Sequence, residues 1–172
     1  MMRQVCDLRD FLLRMRAQLR FGRMSRWPLR LLRLEWRPDS IECDWICRPH
    51  DEWDRDLSER SRRANVSLQA LEDAVEVRHL LFTTFPHVVS AVFRVYRELP
   101  DEQCDLIIAG RVERTEPDSP KVHSMVMRAK LCGLQFCLDE GKLQAFSWED
   151  SDRVPQTKEA EIPRPMKNAY GH

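Results

Sequence analysis

The chain has little excess charge of either sign: 28 lysines and arginines stand against 28 aspartates and glutamates. A balanced protein has no global field to draw it onto nucleic acid or an anionic membrane, so any such attraction has to be local. It also has no run of 18 apolar residues, which excludes a membrane-spanning helix. Six cysteines in 172 residues are too sparse for a small disulfide framework. The first 25 residues carry an arginine every few positions and no uninterrupted apolar run of seven, unlike an export signal. Asp7 and Asp10, with serine nearly absent, also set them apart from a transit peptide. The expectation is a soluble, cytoplasmic protein. No Gly-x-Ser-x-Gly and no glycine-rich phosphate loop occur, and Ser90, Ser124 and Cys104 have no neighbour that would activate them. No catalytic residue, metal ligand or cofactor is assigned, and the expectation is that the protein is not an enzyme.

Hydrophobic residues make up 42% of the chain, enough for one ordinary core with extensions. Val5, Leu8, Leu12, Met15 and Leu19 recur at three- and four-residue spacing, which predicts a helix over 3–22. After the break at 22–28, the stretch LLRLEWRPDSIECDWICR reads as two strands around a turn at Pro38-Asp39-Ser40. Leu32, Leu34 and Trp36 are expected on one face of the first strand, and Ile41, Cys43, Trp45 and Cys47 on one face of the second. The alternate positions Arg33, Glu35, Arg37, Glu42, Asp44 and Arg48 would form an outer face suited to water.

Residues 51–65 alternate in charge and read as a linker or an exposed helical lead-in. A helix follows from Val66, with Leu68, Leu71, Val75 and Phe82 on one side and Ala70, Ala74, Val77 and Leu81 widening the stripe; Phe85-Pro86 closes it. A β-hairpin is expected near 87–98 and 104–114, where β-branched and aromatic residues dominate. Ser124 and Gly133 suit the N-cap and the residue after the C-cap of a short helix, and a last hairpin turns at Asp139-Glu140-Gly141. The division is thus 1–50 for an N-terminal helix and hairpin, 51–65 for the charged stretch, 66–148 for an α-β-β-α-β core and 149–172 for a mobile tail. The fold class is α+β: an antiparallel sheet covered on one face by helices, with the N-terminal helix and β-hairpin as an extension.

Within residues 67–147, LIIAGRV resembles a strand ending in Gly-x-Val, and RAKLCGLQF a second helix running through a glycine into a last strand. Through Gly110, Val112, Ala129, Gly133 and Leu134 this region is similar to the BON domain, an αββαβ module of some bacterial envelope proteins. The resemblance implies a phospholipid or protein surface as ligand and no catalysis. Residues 1–66 lie outside it.

Three constellations bear on chemistry. Cys43, Cys47 and His50 stand at spacings that suggest zinc, with Cys132 and Cys137 as a second pair. On a strand, however, four residues advance about 13 Å, too far to share an ion whose ligands lie about 2.0–2.3 Å from it. Buried free thiols are the expectation; a helix there would reopen the metal reading. His50, Asp51, Glu52, Asp54 and Asp56 contain an Asp-x-Asp that could hold a hard cation, although a solvated charged segment explains it as well. His79, His87 and His123 read as surface or boundary residues. Residues 1–40 hold ten arginines against four acidic residues. Arg9, Arg16 and Arg20 flank the first helix's apolar stripe, and with Arg23 and Arg26 they form the candidate anion- or partner-binding set. Two functions follow as expectations: a protein-interaction or assembly module that meets a partner protein or a second copy, and a binder of anionic phospholipid or nucleic acid.

Overall fold

A computed structural model describes residues 9–15, 27–115 and 121–149. The predicted mobile tail and most of the predicted first helix lie outside the described residues. Helix α1 is described over residues 9–15, and its Phe11 and Met15, one turn apart, are buried in the core. The hairpin follows as β1 (Arg30–Trp36) and β2 (Ser40–Ile46), closed by a hydrogen bond from the Arg37 amide to the Ser40 carbonyl. A short 3-10 turn (Glu52–Asp54) leads to α2 (Glu59–Thr84), then β3 (Ser90–Glu98), β4 (Cys104–Glu113), α3 (Met125–Leu131), β5 (Cys137–Asp139) and β6 (Lys142–Gln144).

The α+β arrangement is present, with a helix ahead of the hairpin strands. The sheet is mixed rather than antiparallel throughout. Its order is β1-β2-β3-β4, and the central pair β2/β3 is parallel, in register from Ser40/Ser90 to Ile46/Tyr96. The cause is the connection: the 26-residue helix α2 carries the chain back to the start of the sheet, and only a crossover of that kind can join parallel neighbours. The hairpin is thereby one half of the same four-stranded sheet as β3 and β4.

The charged stretch 51–65 divides at Ser58, whose hydroxyl accepts from the Ser61 amide and starts α2. Charged residues beyond it sit on the exposed first turns, where Glu59 and Arg63 pair one turn apart. The helix ends where Pro86 requires it, and Arg114 donates to the carbonyls of Phe82, Phe85 and Val88, neutralising the negative helix end. Phe85 is a hub: its ring lies 5.3 Å from Phe11 and 4.8 Å from Trp36.

Ile41, Cys43 and Trp45 face the core beside Ala91, Phe93 and Val95, with Trp45 and Phe93 edge to face at 5.3 Å. On β1 the expected alternation fails at one residue. A bulge between Leu31 and Arg33 shifts the register, so Leu31, not Leu32, joins Leu34 and Trp36 against the core, and Leu32 is 52% exposed. Beyond β4, α3 is capped by Ser124 and ended by Gly133 at a φ of 86°, with Leu134 donating to Ala129 and Gly133 to Lys130. Gly110 is required beside it, since a Cβ there would fall 2.4 Å from the Gly133 carbonyl oxygen.

Candidate functional site at the open edge and charged face of the sheet

The two edges of the sheet are finished differently. Along β4, Ala109 exchanges a pair of main-chain hydrogen bonds with Gln135, and the Phe146 amide donates to Leu106. At β1, no strand or bridge lies beyond the edge among the described residues. Because Arg37 bonds to Ser40, alternation turns the main-chain groups of Glu35 toward β2 and those of Leu34 and Trp36 outward. An outward row of this kind is a template for another strand.

The sheet face away from α2 carries charges, but it is not the watered surface that alternation suggests. Glu42 and Asp44 are buried at 4% and 7% exposure. Arg94, from the middle of β3, donates to both, at 3.1 and 3.0 Å. Arg37 reaches Glu42 at 2.6 Å from the solvent side, and Arg33 lies 3.4 Å from Glu42 and 3.9 Å from Asp44 while also pairing with Glu35. The Trp148 ring covers Arg94 at 5.8 Å. Burial opposes the Arg94 charge, but hydrogen bonding to Glu42 and the field and hydrogen bond of Asp44 outweigh it and hold the proton more tightly than usual. Burial and the nearby Asp44 raise the Tyr96 phenol in turn. Three arginines and three carboxylates thus neutralise one another across β1, β2 and β3, leaving Arg33 and Glu35 facing solvent beside the open edge.

Arg48, expected on that face, lies instead between the end of β2 and α2. Its Nε donates to Asp73 at 2.9 Å, its Nη1 to the Trp27 carbonyl at 3.1 Å, and Gln69 holds the other Asp73 oxygen at 2.8 Å. Burial pushes the Asp73 carboxyl up to about 6, against the opposing field of Arg48. Neither Arg94 nor Asp73 stood out in the sequence. The only available signal was polarity: an arginine inside VFRVYRE and an aspartate inside an apolar helix.

Cys43 and Cys47 are buried along extended backbone, Cys132 is buried at the end of α3, and burial raises the Cys43 thiol strongly and the Cys47 thiol to about 12. Cys137, expected buried, is exposed on β5. In the acidic cluster Asp51 caps the 3-10 turn through the Trp53 amide, Glu52 lies 3.7 Å from Arg55, and Asp54 accepts from Asn65. Among the described residues, no three histidine, cysteine or acidic side chains are placed to hold a metal ion. His79, His87 and His123 are exposed, with the His87 ring 5.1 Å from Trp36. Of the five candidate arginines, Arg9 is exposed on α1, and Arg16, Arg20, Arg23 and Arg26 lie outside the described residues. Among the described residues, no helix is long and apolar enough to cross a membrane. No protein-family model, curated protein or solved structure matches the chain.

Proposed function

We propose that the protein is a non-catalytic interaction or assembly module and that its β1 edge is the docking surface. The observation that carries this reading is the contrast between a β4 edge bonded to Gln135 and Phe146 and a seven-residue β1 edge with no strand beyond it among the described residues. Docking by strand addition takes its affinity from main-chain hydrogen bonds, which the outward groups of Leu34 and Trp36 supply. Exposed Leu32 adds an apolar contact beside them. The resemblance of residues 67–147 to the BON module points the same way, toward a macromolecular surface as ligand. The buried carboxylates Asp73 and Glu42 are engaged by Arg48 and by Arg37 and Arg94, which fits a structural use of their charge.

Residue-resolved amide exchange tests the reading. In dilute protein, the amides of Leu34 and Trp36 are expected to exchange with little protection while that of Glu35, turned toward β2, is protected. Equal protection of all three in a monomer would mean that the chain itself covers the edge, and would overturn the reading.

A further inference from the structure

Resting on that reading, we propose that the occupant of the edge is a second copy of this chain, its β1 running antiparallel to the first about a two-fold axis through Leu34. Charge pairing and Pro38 together select the arrangement: an axis at Trp36 would also set Glu35 opposite Arg37, but it places the outward groups of Leu34 opposite Pro38, which has no N–H to donate. With Leu34 opposite Leu34 of the second copy, outward main-chain groups meet outward groups, as a hydrogen-bonded pair requires. Arg33 then stands opposite Glu35 of the second copy, and Glu35 opposite Arg33, in non-hydrogen-bonded positions where Cα atoms lie about 4.5 Å apart. Opposite charges directly across a strand pair are favourable and like charges are not.

The neighbouring registers reverse this. A shift of the axis to Arg33 brings the two Arg33 side chains together, and a shift to Glu35 brings the two Glu35 side chains together and sets Arg33 opposite Arg37. Shifts that place Arg33 opposite Leu34 turn one copy's charged face onto the other's core face. The arrangement is isologous, as a closed dimer demands: each pair occurs twice by symmetry. It uses Arg33 and Glu35 where they already lie, on the solvent side of β1, with side chains 41% and 44% exposed. The bulge at Leu31/Arg33 bounds the new ladder on one side and the turn at Arg37 on the other, so the contact is short. A short contact gives weak association, in the micromolar range.

Sedimentation equilibrium on the full chain, over about 1 to 300 µM, is expected to show a monomer–dimer equilibrium. Glu35→Arg places arginine opposite Arg33, and Arg33→Glu places glutamate opposite Glu35, so each variant alone is expected to dimerise at least tenfold more weakly. Mixed in equal amounts, the two variants form a heterodimer in which every facing pair is opposite in sign, and association returns. If Arg33→Glu fails to fold because it crowds Glu42 and Asp44, cysteine pairing replaces it. With Cys6, Cys104 and Cys137 changed to serine, Arg33→Cys mixed with Glu35→Cys is expected to crosslink between the two variants in preference to within either one. A strict monomer over the whole range without mixed crosslinks, or a dimer indifferent to both charge changes, overturns the proposal. Either result leaves the interaction reading standing, because that reading fails on a different outcome, the protection of the Leu34 and Trp36 amides in the monomer.

Discussion

Two of the places where the chain buries ionic groups involve β2 or its end, and they are built in different ways. Arg48 and Asp73 form a closed pair, with side chains 0% and 2% exposed. Glu42 and Asp44 share Arg94 and are reached from solvent by Arg33 and Arg37, whose side chains stay 41% and 47% exposed. In the closed pair burial outweighs attraction, and the Asp73 carboxyl holds its proton more readily than in water. In the open network attraction outweighs burial, and Arg94 holds its proton more tightly than usual. Burial and partners differ together: Asp73 is nearly sealed beside one cation, whereas Arg94 keeps a side chain 12% exposed between two carboxylates. The closed pair therefore fixes α2 to the sheet at a free-energy cost, whereas the network supports β1 and β2 at little cost.

The closed pair carries the largest expected effect. Asp73→Leu removes the acceptor of Arg48 Nε and leaves a guanidinium buried with the Trp27 carbonyl and without its carboxylate. Removing one member of a buried pair costs about 3–5 kcal/mol, and urea unfolding is expected to show a loss of that size. A loss under 1 kcal/mol would mean that the site opens to water and that the two clusters are alike.

Asp73→Asn keeps an oxygen for Arg48, removes the charge and puts an amide nitrogen where Gln69 holds the second oxygen; the last change does not depend on pH, which leaves a test by pH. A carboxyl raised from 3.8 to about 6 binds its proton more tightly folded than unfolded. Its contribution to stability is complete below the unfolded value and is lost as pH rises through the folded one. At about 1.4 kcal/mol per unit, the wild type should lose about 2–3 kcal/mol from this residue between pH 3.5 and 7.5. The variant lacks that loss, so its stability relative to wild type should improve by the same amount across the range. Parallel stability curves would refute the assignment.

What could be read from the sequence follows the same divide between local and distant. Ile41, Cys43 and Trp45 declare a strand by period-two alternation, Phe85-Pro86 stops a helix, and Ser124 with Gly133 brackets another, all of which are local physics. The last hairpin turns through Glu140 and Gly141, both at positive φ, as Asp-Glu-Gly suggests. The parallel pairing of β2 with β3 was not legible, because nothing in either strand names a neighbour about fifty residues away. The charges on β2 misled for the same reason. Glu42 and Asp44 alternate with apolar residues as a solvent face does, and only the arrival of Arg94 opposite them makes that face an interior. Leu32 lies off the face that its alternation with Leu34 and Trp36 suggests, because a bulge adds one residue without a composition of its own. The candidate edge was equally hidden, since being last in a sheet is a property of the order of strands.

The open network gives the smallest effect and the sharpest contrast. Arg94→Met keeps the length of the side chain beneath Trp148 but removes the two hydrogen bonds to Glu42 and Asp44. Charge-assisted hydrogen bonds are worth about 1.5–3 kcal/mol, yet here Arg37 already reaches Glu42 and Arg33 lies within 4 Å of both carboxylates. The two arginines can take up part of the load because solvent leaves them free to move, and the net loss should be about 2 kcal/mol. That remainder should also depend on salt: with Arg94 gone, the carboxylates rely on half-exposed partners that ions screen, so the variant should lose more stability than wild type between low salt and 0.5 M. Asp73→Leu, with its charge sealed from ions, should show no such difference. If Arg94→Met cost as much as Asp73→Leu and ignored salt, the charged face would be as closed as the pair behind it, and exposed partners could not be what makes the network inexpensive.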